Sequence, residues 1–143
     1  MRGDHAYDYA IVRLVPRVER GETLNVGVIL SCPECHFLAA RIEIDVPRLQ
    51  ALHPAFDLET ARAHLEAIPL ICAGGPEAGA LGELPARARF HWLVAPRSTV
   101  IQTSPVHSGR TDDPGAALLR LVETLVRTAA PQRPGAAARD DQP

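Results

Sequence analysis

Eight residues with side chains capable of chemistry fall within twenty positions: Arg97, Ser98, Thr99, Gln102, Thr103, Ser104, His107 and Ser108, inside FHWLVAPRSTVIQTSPVHSG. A guanidinium offers fixed, charge-assisted donors to an anion, and hydroxyls and a carboxamide orient a sugar, a nucleotide or a partner's backbone through hydrogen bonds. His107, at a strand end among hydroxyls and before Gly109, is the one candidate general acid/base in the group. Arg17, in the turn Pro16-Arg17, and Asn25, beside a strand glycine, are the companions most suited to complete a polar surface. The candidate ligand-binding set is therefore Arg17, Asn25, Arg97, Ser98, Thr99, Gln102, Thr103 and His107.

Other chemistry is weaker. Cys32-Pro33-Glu34-Cys35-His36 has the C-x-x-C-H spacing of a c-type haem attachment site, yet the N-terminus has no export signal and the chain has no evident second axial ligand. Cys32, Cys35, His36 and Cys72 could supply four zinc ligands, but structural zinc usually organises a small module without its own core. The expectation is no cofactor and no metal, with the three cysteines behaving as small apolar residues. Arg2-Gly3-Asp4 is a chance tripeptide, and Gly74-Gly75 follows a helix and lacks the Lys and the succeeding helix of a phosphate loop. No G-x-S-x-G elbow occurs.

The elements that must position these groups follow from periodicity. Tyr9 to Val15 alternates as a strand ending at Pro16, and Thr23 to Cys32 is β-branched, with Leu24, Val26, Val28 and Leu30 on one side and Asn25 and Gly27 opposite. Gly27 predicts a bulge or a close backbone approach. His36 to Ile44 is a third strand, with Leu38, Ala40, Ile42 and Ile44 inward and Ala39, Arg41 and Glu43 outward. Asp45 and Asp57 cap two helices, the second carrying Leu58, Ala61, Leu65 and Ile68 until Pro69 kinks or ends it. A Gly/Pro-rich loop spans Ala73 to Arg87, and Ala88 to Ala95 and Thr99 to Val106 read as two more strands joined by Pro96-Arg97-Ser98. Asp113-Pro114 opens a last helix with the stripe Ala117, Leu118, Leu121, Val122, Leu125 and Val126. The expectation is an α+β domain over residues 1–128, ordered βββααββα, with a mainly antiparallel five-stranded sheet and helices packed on one face. Residues 129–143 have little to bury and are expected to be a disordered tail.

A chain of 143 residues matches one domain. All 15 basic residues are Arg, a bias that fits a GC-rich bacterial genome and weakens any claim that a single Arg was selected for bidentate binding. The net charge of -2 and the few aromatics argue against nucleic-acid coating. The N-terminal apolar run is too short and too broken by Arg13 and Arg17 to be a signal or a membrane span, so the expectation is a cytoplasmic protein.

The segments YDYAIVRLVPRVERGETLNVGVIL, HLEAIPLICAGG and RFHWLVAPRSTVIQTSPVHSG closely resemble the bacterial family catalogued as domain of unknown function 3037, over about Tyr7 to Arg127. That resemblance implies no activity, cofactor or catalytic residue, and it does not extend to the Cys-x-x-Cys-His turn. It implies a link to HipA-like kinases, beside which relatives are encoded, and it directs attention to the Pro16-Arg17 and Pro96-Arg97 turns. Two functions are then expected. The first is a small accessory module whose Arg/hydroxyl surface binds an anionic ligand or a protein partner. The second is a small enzyme acting on a phosphoester or nucleotide, with His107 as general acid/base, Arg97 and Arg17 stabilising charge and Ser98 or Thr99 orienting substrate; Glu19, Glu22, Asp112 and Asp113 are the nearby carboxylates for a divalent metal, and their spacing does not show convergence. The absence of a recognisable nucleophile and base pair favours the first.

Overall fold

Consecutive alternating segments linked by short turns build an antiparallel sheet. The computed structural model describes residues 4–97 and 99–128. Its strands are β1 (His5–Leu14), β2 (Leu24–Cys32), β3 (Phe37–Ile42), β4 (Ile101–Thr103) and β5 (His107–Thr111). They lie in the order β3-β2-β1-β4, and β5 also pairs with β1, so β4 and β5 share one flank of β1. Every pairing is antiparallel. The helices are α1 (Val46–Leu52), α2 (Leu58–Ala73), α3 (Ala86–Leu93) and α4 (Pro114–Leu125).

Gly27 sets the geometry of β2. The β1–β2 register passes from Val12↔Gly27 to Arg13↔Asn25, leaving Val26 as the extra residue of a bulge. A Cβ on Gly27 would lie 2.6 Å from the Arg41 carbonyl oxygen, so only glycine lets β3 approach here. Both expectations for this glycine, bulge and close approach, are met. The bulge also divides the side predicted as continuous. Leu24, Val26 and Ile29 join one cluster with Val12, Leu14, Leu65 and Phe90, whereas Val28, Leu30 and Cys32 join another with Tyr7, Ala117 and Val122. Strict alternation across the bulge fails because the extra residue shifts the phase by one.

Each face of the sheet therefore has an apolar layer to cover. Helices α1, α2 and α3 cover the first, through Leu49, Leu65, Ile68, Phe90 and Leu93. Helix α4 covers the second with its stripe Ala117, Leu118 and Val122, so the helices are not confined to one side. Ala39 of β3, expected to face outward, packs beneath α4 with Phe37. Full burial of a side chain such as Leu65 contributes ~1.5–3 kcal/mol. Three predicted helix starts are present as such. The Asp45, Asp57 and Asp113 carboxylates accept from the backbone N–H groups of Arg48, Thr60 and Ala116, caps typically worth ~1 kcal/mol each.

The segment expected as a strand over Ala88 to Ala95 is helix α3. The Phe, Trp and Val content of the segment favours strands, but the two buried residues of the helix, Phe90 and Leu93, are three apart, a helical spacing, and Pro85 opens the turn with its carbonyl accepting from Arg89 N–H. The fifth strand is instead β5, whose polar HSGRT sequence carries no apolar alternation. It pairs because Tyr7 lies over Gly109, where a Cβ would approach within 2.5 Å of the tyrosine hydroxyl. Pro69 neither ends nor breaks α2, which continues to Ala73. The expected tail over 129–143 lies outside the described residues, as do Arg2 and Gly3 of the tripeptide.

Candidate functional site

Helix α2 presents His64, Ala67, Ile68 and Ile71 at successive helical spacings toward α3 and β4. With Trp92, Leu93, Arg97, Thr99, Val100, Ile101, Gln102 and Thr103 they enclose a cavity of about 330 Å³, within the range of small-ligand sites. Four of the residues singled out from the sequence, Arg97, Thr99, Gln102 and Thr103, line it. The floor is aliphatic and the rim polar.

The rim groups are largely engaged by nearby backbone. Arg97 Nη1 donates to the carbonyls of Leu93 and Ala95 at 3.1 Å each, and Nη2 to that of Trp92 at 2.8 Å. Those carbonyls lie in and just beyond the last turn of α3, so the guanidinium braces the helix C-terminus. It also lies 4.5 Å from the Trp92 ring centroid, within cation–π reach. Thr99 Oγ1 donates to Ile101 O, Gln102 Nε2 to Thr99 O, and Thr103 Oγ1 to Val94 O. Ser104 is buried where β4 gives way to β5, its Oγ accepting from Ile11 N–H at 2.9 Å. Much of the polar density that marks this stretch thus secures an irregular sheet flank.

The remaining predicted residues lie elsewhere. Asn25, on the α4 face, donates from Nδ2 to the Leu125 carbonyl at the end of α4. Val15 N–H bonds to Val100 O at 2.7 Å, which brings the Pro16-Arg17 and Pro96-Arg97 segments to one end of the sheet. Arg17 nevertheless pairs with Glu19 and does not line the cavity. His107 opens β5 opposite Tyr9, with ring centroids 5.4 Å apart, and is likewise absent from the cavity lining. Ser98 lies outside the described residues. Cys72 packs from α2 into the layer on one face of the sheet while Cys32 packs under α4 on the other, and among the described residues no group of three or more His, Cys, Asp or Glu is placed to hold a metal ion. No helix among the described residues is long and apolar enough to cross a membrane.

Sequence reasoning passed over Trp92, Val100 and the α2 row. Trp92 is 44% and Val100 38% exposed, beside a cavity whose floor contains Ile68, Ile71 and Leu93. The signal was present in the spacing of His64, Ala67, Ile68 and Ile71, but assigning Trp92 to a strand hid its relation to that row. A second polar cluster was not legible at all. Arg87 of α3 donates to Asp8 Oδ2 at 2.5 Å and to Ser31 Oγ at 2.8 Å, and Ser108 Oγ donates to Asp8 Oδ1 at 2.6 Å. Partial burial pushes the Asp8 carboxyl up, but the Ser108 hydroxyl and the Arg87 guanidinium outweigh it and hold the group below its ordinary range. The cluster ties α3 to β1, β2 and β5.

A family model described as "Protein of unknown function (DUF3037)" matches residues 9–126. No curated protein and no solved structure matches the chain.

Proposed function

The chain belongs to the DUF3037 family, and from that premise we propose that it is a non-catalytic binding module whose α2–α3–β4 pocket receives an apolar side chain of a protein partner. The observation that carries this reading is the exposure of Trp92, the lone tryptophan of the chain, at the mouth of an apolar cavity. Large aromatic residues bordering pockets supply much of the binding energy at protein interfaces. Arg97 holds this one by stacking and by bonding its carbonyl, so little side-chain freedom remains to be lost on association. The Arg97 charge at the rim also suits a partner that carries a carboxylate or other anionic group beside its apolar residue. We place this activity in the bacterial cytoplasm, and a HipA-like kinase is the first partner to try.

Val100 is exposed at the pocket, whereas Leu119 is an exposed apolar residue of α4, across the sheet. A photo-crosslinking amino acid at Val100, in cells of the source organism, is expected to trap a discrete protein adduct that Trp92→Ala removes. The same probe at Leu119 is expected to trap none. Equal yields at the two positions, no adduct at Val100, or an adduct that survives Trp92→Ala would sink the proposal.

A further inference from the structure

The hairpin between β2 and β3 turns on Cys32, Pro33, Glu34 and Cys35. Cys32 ends β2 and is fully buried in the layer beneath α4, while Cys35 ends a single 3-10 turn, is half-buried and packs against the same layer. One 3-10 turn advances about 6 Å over three residues, within the Cα separation that a disulfide spans. Pro33 fixes the first φ of the turn, and His36 completes it in the left-handed region, its N–H bonded to Pro33 O. The turn thus sets the two cysteines within disulfide reach, Cys35 half-exposed to solvent and Cys32 buried. The third cysteine is remote, since Cys72 is buried on the other face of the sheet and burial pushes its thiol up to about 12.

We propose that Cys32 and Cys35 form a thiol–disulfide exchange site that accepts low-molecular-weight disulfides at Cys35 and closes into a reversible intramolecular disulfide. The Cys35 thiolate attacks one sulfur of the small disulfide, whose S–S bond breaks as the protein–small-molecule S–S bond forms, and one small thiolate leaves and takes up a proton. Cys32, losing its proton to solvent, then attacks Cys35 Sγ and expels the second small thiolate, which is protonated in turn. Two protein thiols are oxidised to one disulfide, and one small disulfide is reduced to two thiols. The one-turn spacing of the two cysteines makes the second step intramolecular and fast relative to escape of the mixed disulfide.

The full chain has three cysteines. Incubated with oxidised glutathione and then denatured, it is expected to show one free thiol instead of three, an intact mass lower by two hydrogen atoms, and a Cys32–Cys35 link in a non-reducing peptide map. Dithiothreitol restores all three thiols. Cys32→Ala is expected to stop at a stable glutathione adduct on Cys35, whereas Cys35→Ser leaves Cys32 unmodified. A wild-type chain that keeps three thiols, or that accumulates the glutathione adduct without closing, overturns the proposal. The wild-type map decides the matter even where the Cys32 variant fails to fold.

Discussion

The Arg97 guanidinium lies 4.5 Å from the Trp92 ring centroid and bonds the carbonyl of that same residue at 2.8 Å. One side chain thereby braces the end of α3 and fixes the aromatic ring at the pocket mouth. Arg97 is a positioning group first, and its charge reaches the rim as a consequence of that role. The dense polar stretch around it is intelligible in the same way, as a set of local bonds that let β4, only three residues long, hold its place beside β1.

Removing those bonds should therefore be felt in stability as well as in binding. Arg97→Ala leaves three backbone carbonyls without this donor, and a loss of ~1–2 kcal/mol is expected from urea denaturation, hydrogen bonds to charged groups contributing ~1.5–3 kcal/mol before discounting for solvent. Arg97→Lys should recover less than half, because a compact ammonium cannot stack as a plane and reach all three oxygens. An unchanged urea midpoint for Arg97→Ala would show that the cap is energetically idle.

The Asp8–Arg87 pair predicts coupling across the chain. Asp8→Ala and Arg87→Ala are each expected to cost ~1 kcal/mol, the charges being partly exposed, and the double variant should cost less than the sum because each single change leaves the other charge without its counter-ion. Urea denaturation of the four proteins measures it, and strict additivity would mean that the pair does not hold α3 to β1.

Legibility tracked the range of the interaction. The caps at Asp45, Asp57 and Asp113 and the Gly27 bulge are local, written in a few neighbouring residues, and they could be read directly. The same holds for much of the site, since Arg97, Thr99, Gln102 and Thr103 are contiguous with the pocket they line. Helix α3 was misread because its aromatic composition imitates a strand, and its burial against α2 and β2 decides otherwise. Strand β5 has no apolar period and exists through its ladder to β1. The Asp8, Ser31, Arg87 and Ser108 cluster joins residues up to 100 positions apart, a convergence that no spacing encodes.

Gly27→Ala should be among the most damaging small substitutions. Its Cβ would meet both the Arg41 carbonyl oxygen and Ile42 Cδ1 at 2.6 Å. The side chain can turn away but the backbone oxygen cannot, so the β2–β3 ladder must separate, at an expected ~2–3 kcal/mol. A thermal melt within a degree or two of wild type would contradict the close approach.

Acid should weaken the fold partly through Glu43. This carboxylate, at the end of β3, accepts from Arg127 Nε and Nη2 at 2.8 Å each, and from Arg41 at 3.2 Å. The Arg127 bonds, against the opposing effect of partial burial and with help from Arg41, lower its pKa from 4.5 to about 2. A folded-state value below the unfolded one means the unfolded chain takes up the proton first as the solution is acidified. The contribution is therefore complete above about pH 4.5 and drains away as pH falls toward 2. Glu43→Gln should lower the urea midpoint at pH 7 and flatten its decline between pH 4.5 and 2, leaving the remaining slope to groups such as Asp8, also held low. Added salt should narrow the gap between variant and wild type at pH 7, because both partners keep substantial contact with water. If the variant's midpoint falls with pH as steeply as wild type's across that window, Arg127 is not holding Glu43 in the folded protein.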